Sequence, residues 1–429
     1  MSSHSLAINS AKPLDLSKWR NVPNLMIGGG AVLAVSGLAI FGFKQFGYSY
    51  LVAYMFCLSL CLGSLFLVLA HHLFDAGWSV PIRRFCEHIA SLLWGWMLVL
   101  VLPLLVLAPK LYPWMSSNPA SDHALRAKWP LFTLPGFYIA IAGSLIVLGF
   151  LAKQLRAWSI KQDATGAAEC TYKMRGYSYW GIFAFASLVT MLLIMLVKGL
   201  EHEWFSTMYG VWYFAGSVWT TLATVYVITM VLTRLNILRP VLHHHQFYYI
   251  GSLFFAFTVF YAYVTFAQYF IIWNANMPEE TFWYVQREKG TWFVMSIIFI
   301  IFGHFFLPFL SLLRIDAKQS FKLMSFLAVW AWLMHFIDMT FNIMPVLHPD
   351  GFPFQTIWID LGCLAFIAGI LIKVFLIKFA SAAPYPIKDP RLIEAVGQFH
   401  PVPTQISGGE LDETSEHDQT DEFQKDDIH

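Results

Sequence analysis

Charge is scarce in this sequence. Asp, Glu, Lys and Arg make up 12% of the 429 residues, about half the share of an ordinary soluble chain. That excludes a string of soluble domains. The net charge of +1 gives no basic surface for nucleic acid, and no nucleic-acid partner is expected. Cysteine is equally sparse. Cys57, Cys61, Cys86, Cys170 and Cys363 form no CxxC or CxxCH pattern, so neither an iron–sulfur cluster nor covalently attached haem is supported. No flavin or nucleotide fingerprint is present. Met1 to Pro23 is polar, with Lys12, Lys18 and Arg20, and reads as a cytoplasmic N-terminal segment (1–23) rather than a signal peptide.

Apolar sequence is what the chain has in excess, at 58%. The fold class expected is an all-α polytopic membrane protein. Ten apolar stretches are long enough to span a bilayer: 24–43, 49–73, 85–108, 132–155, 177–199, 208–233, 247–273, 291–313, 321–344 and 355–378. With that count both termini share one side. The other side holds Lys44, Lys110, Arg126, Lys128, Lys198, Arg287 and Lys289, which is a minority of the 27 lysines and arginines. The positive-inside bias then places both termini in the cytoplasm.

A weak repeat runs through the apolar sequence. Ile89–Leu93 resembles Ile250–Phe254, and Arg126-x-Lys128 resembles Arg287-x-Lys289 at the same spacing. Spans two to five and six to nine would form two parallel four-helix bundles, about 49–199 and 208–344, with spans one and ten peripheral. The membrane domain is thus 24–378, and 379–429 reads as a disordered acidic cytoplasmic tail, broken by prolines and acidic from Gly408 onward.

Ionisable residues inside apolar spans cost roughly 2.5–3.5 kcal/mol each on insertion scales, which makes them candidates for function. They concentrate in Met277–Pro345. His335 and Asp338 lie three apart on one helix and share a face that Asn342 extends. The pair reads either as a proton-exchange or quinone-proximal site or as polar glue between helices. His304 sits mid-span, four residues before Pro308, which frees a backbone carbonyl nearby. At the cytoplasmic ends of spans two and three, His71, His72 and Asp75 face Glu87 and His88. They read as a proton mouth or as ordinary interfacial groups. Lys198, Glu201, His202 and Glu203 read as a solvated or partner-facing outer cap of the fifth span. The run His243–His245 is weakly compatible with metal, and no metal site is expected. Tyr261, Tyr263 and Tyr269 with Gln268 would suit a flat quinone ring. Only His304 and His335 are convincingly intramembrane and both fall in one bundle, so no bis-histidine haem relay is expected. Any redox centre must sit on a partner.

The stretch Met208–Ser217, the Asn274–Lys289 connector, the His304–Pro308 turn and the Trp332–Pro345 span together resemble the NrfD/polysulfide-reductase membrane-subunit family. Within it they are most similar to the ten-helix subunits of alternative complex III, a bacterial quinol:cytochrome c oxidoreductase. The resemblance covers about 20–380. It implies two four-helix bundles with two flanking helices, in a bacterial inner membrane. It also implies partners: a homologous ten-helix subunit, an iron–sulfur protein on the outer side and c-type cytochromes. This chain would hold no cofactor of its own, with quinone or quinol as the ligand it admits. Two other readings stay open, a membrane scaffold without quinone binding and a secondary transporter.

Overall fold

The structure is a computed structural model that describes residues 19–396. Among these residues there is no strand. The protein is an all-α, multi-pass membrane protein. Eight helices are long and apolar enough to cross a membrane: α1 (Asn21–Phe74) and seven that follow. Among the described residues the count becomes nine if the bent pair Gly77–Leu100 and Leu102–Leu111, which meet at 53°, is one broken span rather than a re-entrant loop. We label its two ordered pieces α2 (Val80–Ala90) and α3 (Leu102–Leu111). The short α4 (His123–Ala127) lies in a loop. Then come α5 (Leu134–Thr165), α6 (Ala168–Leu196), α7 (Tyr209–Arg234) and α8 (His244–Ala275). The connector helix α9 (Pro278–Arg287) is followed by α10 (Gly290–Ser311), α11 (Phe321–Ile343) and α12 (Ile357–Ala380).

The count of eight or nine differs from the ten expected, because two expected spans share one helix and the span expected at 85–108 is the bent pair that separates eight from nine. Spans expected at 24–43 and 49–73 fall in the single helix α1. Its 54 residues would extend about 80 Å if straight, against a hydrocarbon core of about 30 Å. It is not straight. Gly42 has φ 81° and ψ 179°, a conformation essentially confined to glycine. The limbs on either side run in opposite directions along α12. In the first limb, Met26 and Ile27 meet Gly369, while Gly30 meets Gly362 and Phe366, and Gly37 meets Ile359. In the second, Ser49 interacts with Asp360, and Cys57 and Cys61 border a groove with Leu364, Ala368 and Leu371.

Local sequence sets the other ends. Thr133 caps α5 by accepting from the Gly136 amide, with Pro135 in the first turn, and Gly166 in the left-handed region stops it. His243 and Gln246 cap the start of α8 reciprocally, and Asn276 ends it.

The second limb of α1 and helix α7 form the centre, with 83% and 78% of their apolar windows buried. They approach closely at Gly63, where an added Cβ would lie 2.2 Å from Thr221 Oγ1 and 2.5 Å from the Ser217 carbonyl. The Tyr213 hydroxyl donates to the Met55 carbonyl at 2.7 Å across the same contact. Against the limb lie α2, α3 and α6, with α5 packed on α6; against α7 lie α8 and α11, and α10 reaches it where His304 stacks on Trp219. Each central helix also touches the last helix of the other group.

The proposed tail boundary needs correction. Residues 381–396 do not hang free. Their backbone and side chains bond to the face formed by the ends of α1, α2, α5 and the start of α8. We call this the tail face and the opposite one the connector face. The rest of the expected tail, 397–429, and most of the N-terminal segment, 1–18, lie outside the described residues.

Candidate functional site

Three sequence-predicted residues meet at one point. His304 from α10 and His335 and Asp338 from α11 are all buried, and their ligand-type atoms lie within 4.8 Å of one another. Local structure explains how His304 reaches the centre. Ser296–Phe306 winds as a π-helix, a widening often found at functional positions. Trp330 Nε1 donates to the Gly303 carbonyl at 2.7 Å and satisfies part of the disturbed backbone. The His304 ring is clamped flat between two aromatics, with centroids 4.0 Å from Trp219 and 3.7 Å from Tyr261.

The hydrogen bonds around the cluster leave acceptors bare. His335 Nε2 lies 2.9 Å from Ser59 Oγ, and the Ser59 hydroxyl donates to the Phe56 carbonyl at 2.7 Å. A hydroxyl has one proton. Ser59 must therefore accept from His335, which places the histidine proton on Nε2 and leaves Nδ1 as an open acceptor. Nδ1 has no protein partner, and neither do Asp338 Oδ2 or the two ring nitrogens of His304. Buried polar atoms are rarely left so.

From this cluster a polar ladder climbs to the connector face. Asn342 Nδ2 donates to Asp338 Oδ1 at 3.2 Å, and the Tyr209 hydroxyl donates to Asn342 Oδ1 at 3.0 Å. Arg287 of α9, only 1% exposed, donates to the Asn342 and Phe341 carbonyls at 2.9 and 3.2 Å. It lies over Trp283 at 3.6 Å and pairs with Glu201 at 3.5 Å. Trp212 Nε1 donates to the Tyr261 hydroxyl at 3.1 Å, and that hydroxyl interacts with Asp338. In the sequence Arg287 enters as a charge, in the repeat and in the connector, and Tyr209 in the Met208–Ser217 stretch, but neither is marked as part of the site, and Trp219 carries no signal. The i,i+4 spacing of Trp283 and Arg287 was the available signal.

The three ligand atoms invite a comparison with a metal site. Three such atoms within 4.8 Å of one another could hold a metal ion as well as a bridging hydroxyl or an exchangeable proton.

The second predicted group also assembles, on the tail face. Arg83 Nε meets Glu87 at 2.8 Å, and its Nη1 meets Asp389 at 2.6 Å and His71 Nε2 at 2.7 Å. Arg84 bridges Glu87 at 3.3 Å and pairs with Asp163. Arg391 links Asp389 to Asp75, each at 2.9 Å, and Arg175 takes the other Asp75 oxygen at 2.6 Å. His88 Nδ1 accepts from Arg156 Nε at 2.9 Å. His72 is buried with neither nitrogen partnered. Burial alone would raise the Asp389 carboxyl, but Arg83 and Arg391 outweigh it and hold it well below the usual carboxylate range. The group is a cross-linked ionic network that the segment at 381–396 completes.

Other expectations are revised. Lys198 is not solvated: it is 8% exposed beside Lys128, and burial with that neighbour pushes its ammonium down to about 7. His202 pairs with Asp122 at 2.7 Å. In the histidine run, His243 caps α8 and bonds the Val396 carbonyl, while His245 is exposed. The expected tyrosine slot does not form, because Tyr263 and Tyr269 face outward and only Tyr261 turns into the cluster.

The chain matches no protein-family model and no curated protein.

Proposed function

We propose that this chain is a membrane subunit of a quinol-oxidising respiratory complex of the NrfD type, resembling alternative complex III, and that the His304–His335–Asp338 cluster is its proton-accepting site. The observation that carries the reading is the bare Nδ1 of His335 beside the bare Oδ2 of Asp338. A base must offer an open lone pair within hydrogen-bond reach of the proton it takes. Ser59 fixes the tautomer and Tyr261 and Trp219 fix the opposing ring, so the site is held ready.

In this reading quinol oxidation releases two electrons and two protons. The electrons go to iron–sulfur and haem centres on partner subunits. Protons pass to His335 or Asp338, and the polar ladder of Asn342, Tyr209 and Arg287 marks the side of the cluster that opens towards the outer face, where the iron–sulfur partner would sit. The excess of lysine and arginine on the tail face supports a cytoplasmic tail face in a bacterial inner membrane.

The test is Asp338→Asn in the intact complex. Quinol:cytochrome c turnover should fall by about a hundredfold, with subunit composition unchanged. Unchanged turnover in an assembled complex would leave the cluster as structural glue. A chain that purifies alone and colourless would remove the respiratory reading altogether.

A further inference from the structure

An apolar groove runs along α12 where it leans on the second limb of α1. Its cavity holds about 570 Å³, and its walls include Cys57, Cys61, Ile89, Leu92, Ala368 and Phe375. On α12 the lining extends from Leu361 to Leu376, a rise of about 22 Å at 1.5 Å per residue. An apolar trench of that length, with Thr224 as its one hydroxyl-bearing lining residue, fits an extended hydrocarbon chain.

The trench ends in charge. At its tail-face end Lys378 Nζ donates to Ser91 Oγ at 2.9 Å and to the Ser91 carbonyl at 3.1 Å, and Ser91 lies between the lining residues Ile89 and Leu92. Lys378 is close enough to Cys61, on the groove wall, for the two to interact electrostatically. Arg156 is the next cation, and it repels Lys378. Among the described residues neither has a carboxylate within ion-pair distance. The nearby Glu87 is already shared by Arg83 and Arg84. Arg156 spends only Nε, on His88. Two half-buried cations thus stand near one another at the end of a hydrocarbon slot.

We propose that this groove binds one anionic phospholipid, with an acyl chain between α12 and the second limb of α1 and its phosphate on Lys378 and Arg156. The lipid would join the flanking helix to the central pair and neutralise two cations that the protein leaves unpaired. Basic pockets between membrane helices recognise anionic headgroups in this way.

The experiment is native mass spectrometry of the full chain, in its complex if it has one, released from nanodiscs of phosphatidylcholine containing a minor fraction of phosphatidylglycerol. One phosphatidylglycerol should survive on the wild type. In Lys378→Met/Arg156→Met its retention should fall by about thirtyfold. In Ala368→Trp, which fills the trench and keeps both cations, it should also be lost. Lys378→Arg/Arg156→Lys should retain it, which separates charge from misfolding. Equal retention of phosphatidylcholine would overturn the proposal, as would a lipid that persists in Ala368→Trp. Recovery of a polyisoprenoid quinone indifferent to the two cations would overturn it too. None of these outcomes depends on quinol turnover.

Discussion

Tyr261 and His304 stack with ring centroids 3.7 Å apart, which ties α8 to the π-helical segment of α10 at the protonatable cluster. The contact does two things. The ring face holds the imidazole in place, and the hydroxyl at the ring edge sits between Trp212 and Asp338.

These two roles separate by substitution. Tyr261→Phe keeps the stack and removes the hydroxyl. Turnover should drop about tenfold or more with little change in thermal stability. Tyr261→Leu removes both, and unfolding should come earlier by about 3 kcal/mol, as for truncation of a large buried aromatic. Steady-state quinol oxidation and thermal unfolding in detergent would read the pair. If Tyr261→Phe turned over like wild type, the hydroxyl would have no part in proton transfer.

The ionic network on the tail face yields a prediction in pH. Asp389 is held below its ordinary value by Arg83 and Arg391. Its folded pKa is depressed, so its stabilisation is present above the unfolded value, about 4, and is lost as pH falls below it. Asp389→Asn should cost about 3 kcal/mol at neutral pH, since Arg83 stays buried with only Glu87 opposite. The gap between wild type and variant should narrow as pH drops from about 5 towards about 2. Melting curves that stay parallel through that window would show that Asp389 does not titrate with folding.

How much of this could be read from sequence follows physical lines. His304, His335 and Asp338 stand out because hydrocarbon makes each of them costly, and the structure brings all three together. The second partner of each was hidden. Ser59, Tyr261 and Trp219 are ordinary membrane residues, and nothing in spacing along the chain couples α1, α7 and α8 to α10 and α11. The reversal at Gly42 was legible in place but not in form. The apolar runs 24–43 and 49–73 lead one to expect the chain to turn back between them, with Lys44 as loop charge, but nothing marks Gly42 as the residue that turns it within one helix. In 381–396 the prolines predict only a broken helix, and the acidic composition beyond carries the expectation of disorder. Asp389 and Arg391, flanking one of those prolines, meet the buried Arg83 and the exposed Asp75 more than three hundred positions earlier in the chain, and no local signal carries such a pairing.

Lys198 gives the last prediction. It sits just past the end of α6, 8% exposed, with Lys128 as its charged neighbour and Phe205 under both ammonium groups at 5.5 and 4.2 Å. Lys128 itself donates to the His202 carbonyl. Burial and Lys128 lower the folded value of Lys198 to about 7, against about 10.4 in the unfolded chain. Between those values the unfolded chain binds more protons than the folded one, so stability rises with pH across the interval. Below about 7 the folded protein carries the buried charge and is at its least stable with respect to this group. Lys198→Met removes the titration. The variant should be more stable than wild type at pH about 6, and the slope of stability against pH should fall by up to about 1.4 kcal/mol per pH unit between about 7 and about 10. Thermal unfolding across that range checks both signs. A variant whose melting temperature tracks that of the wild type at every pH would mean that Lys198 keeps an ordinary lysine pKa, and that water reaches it where the packing of Phe205 suggests it does not.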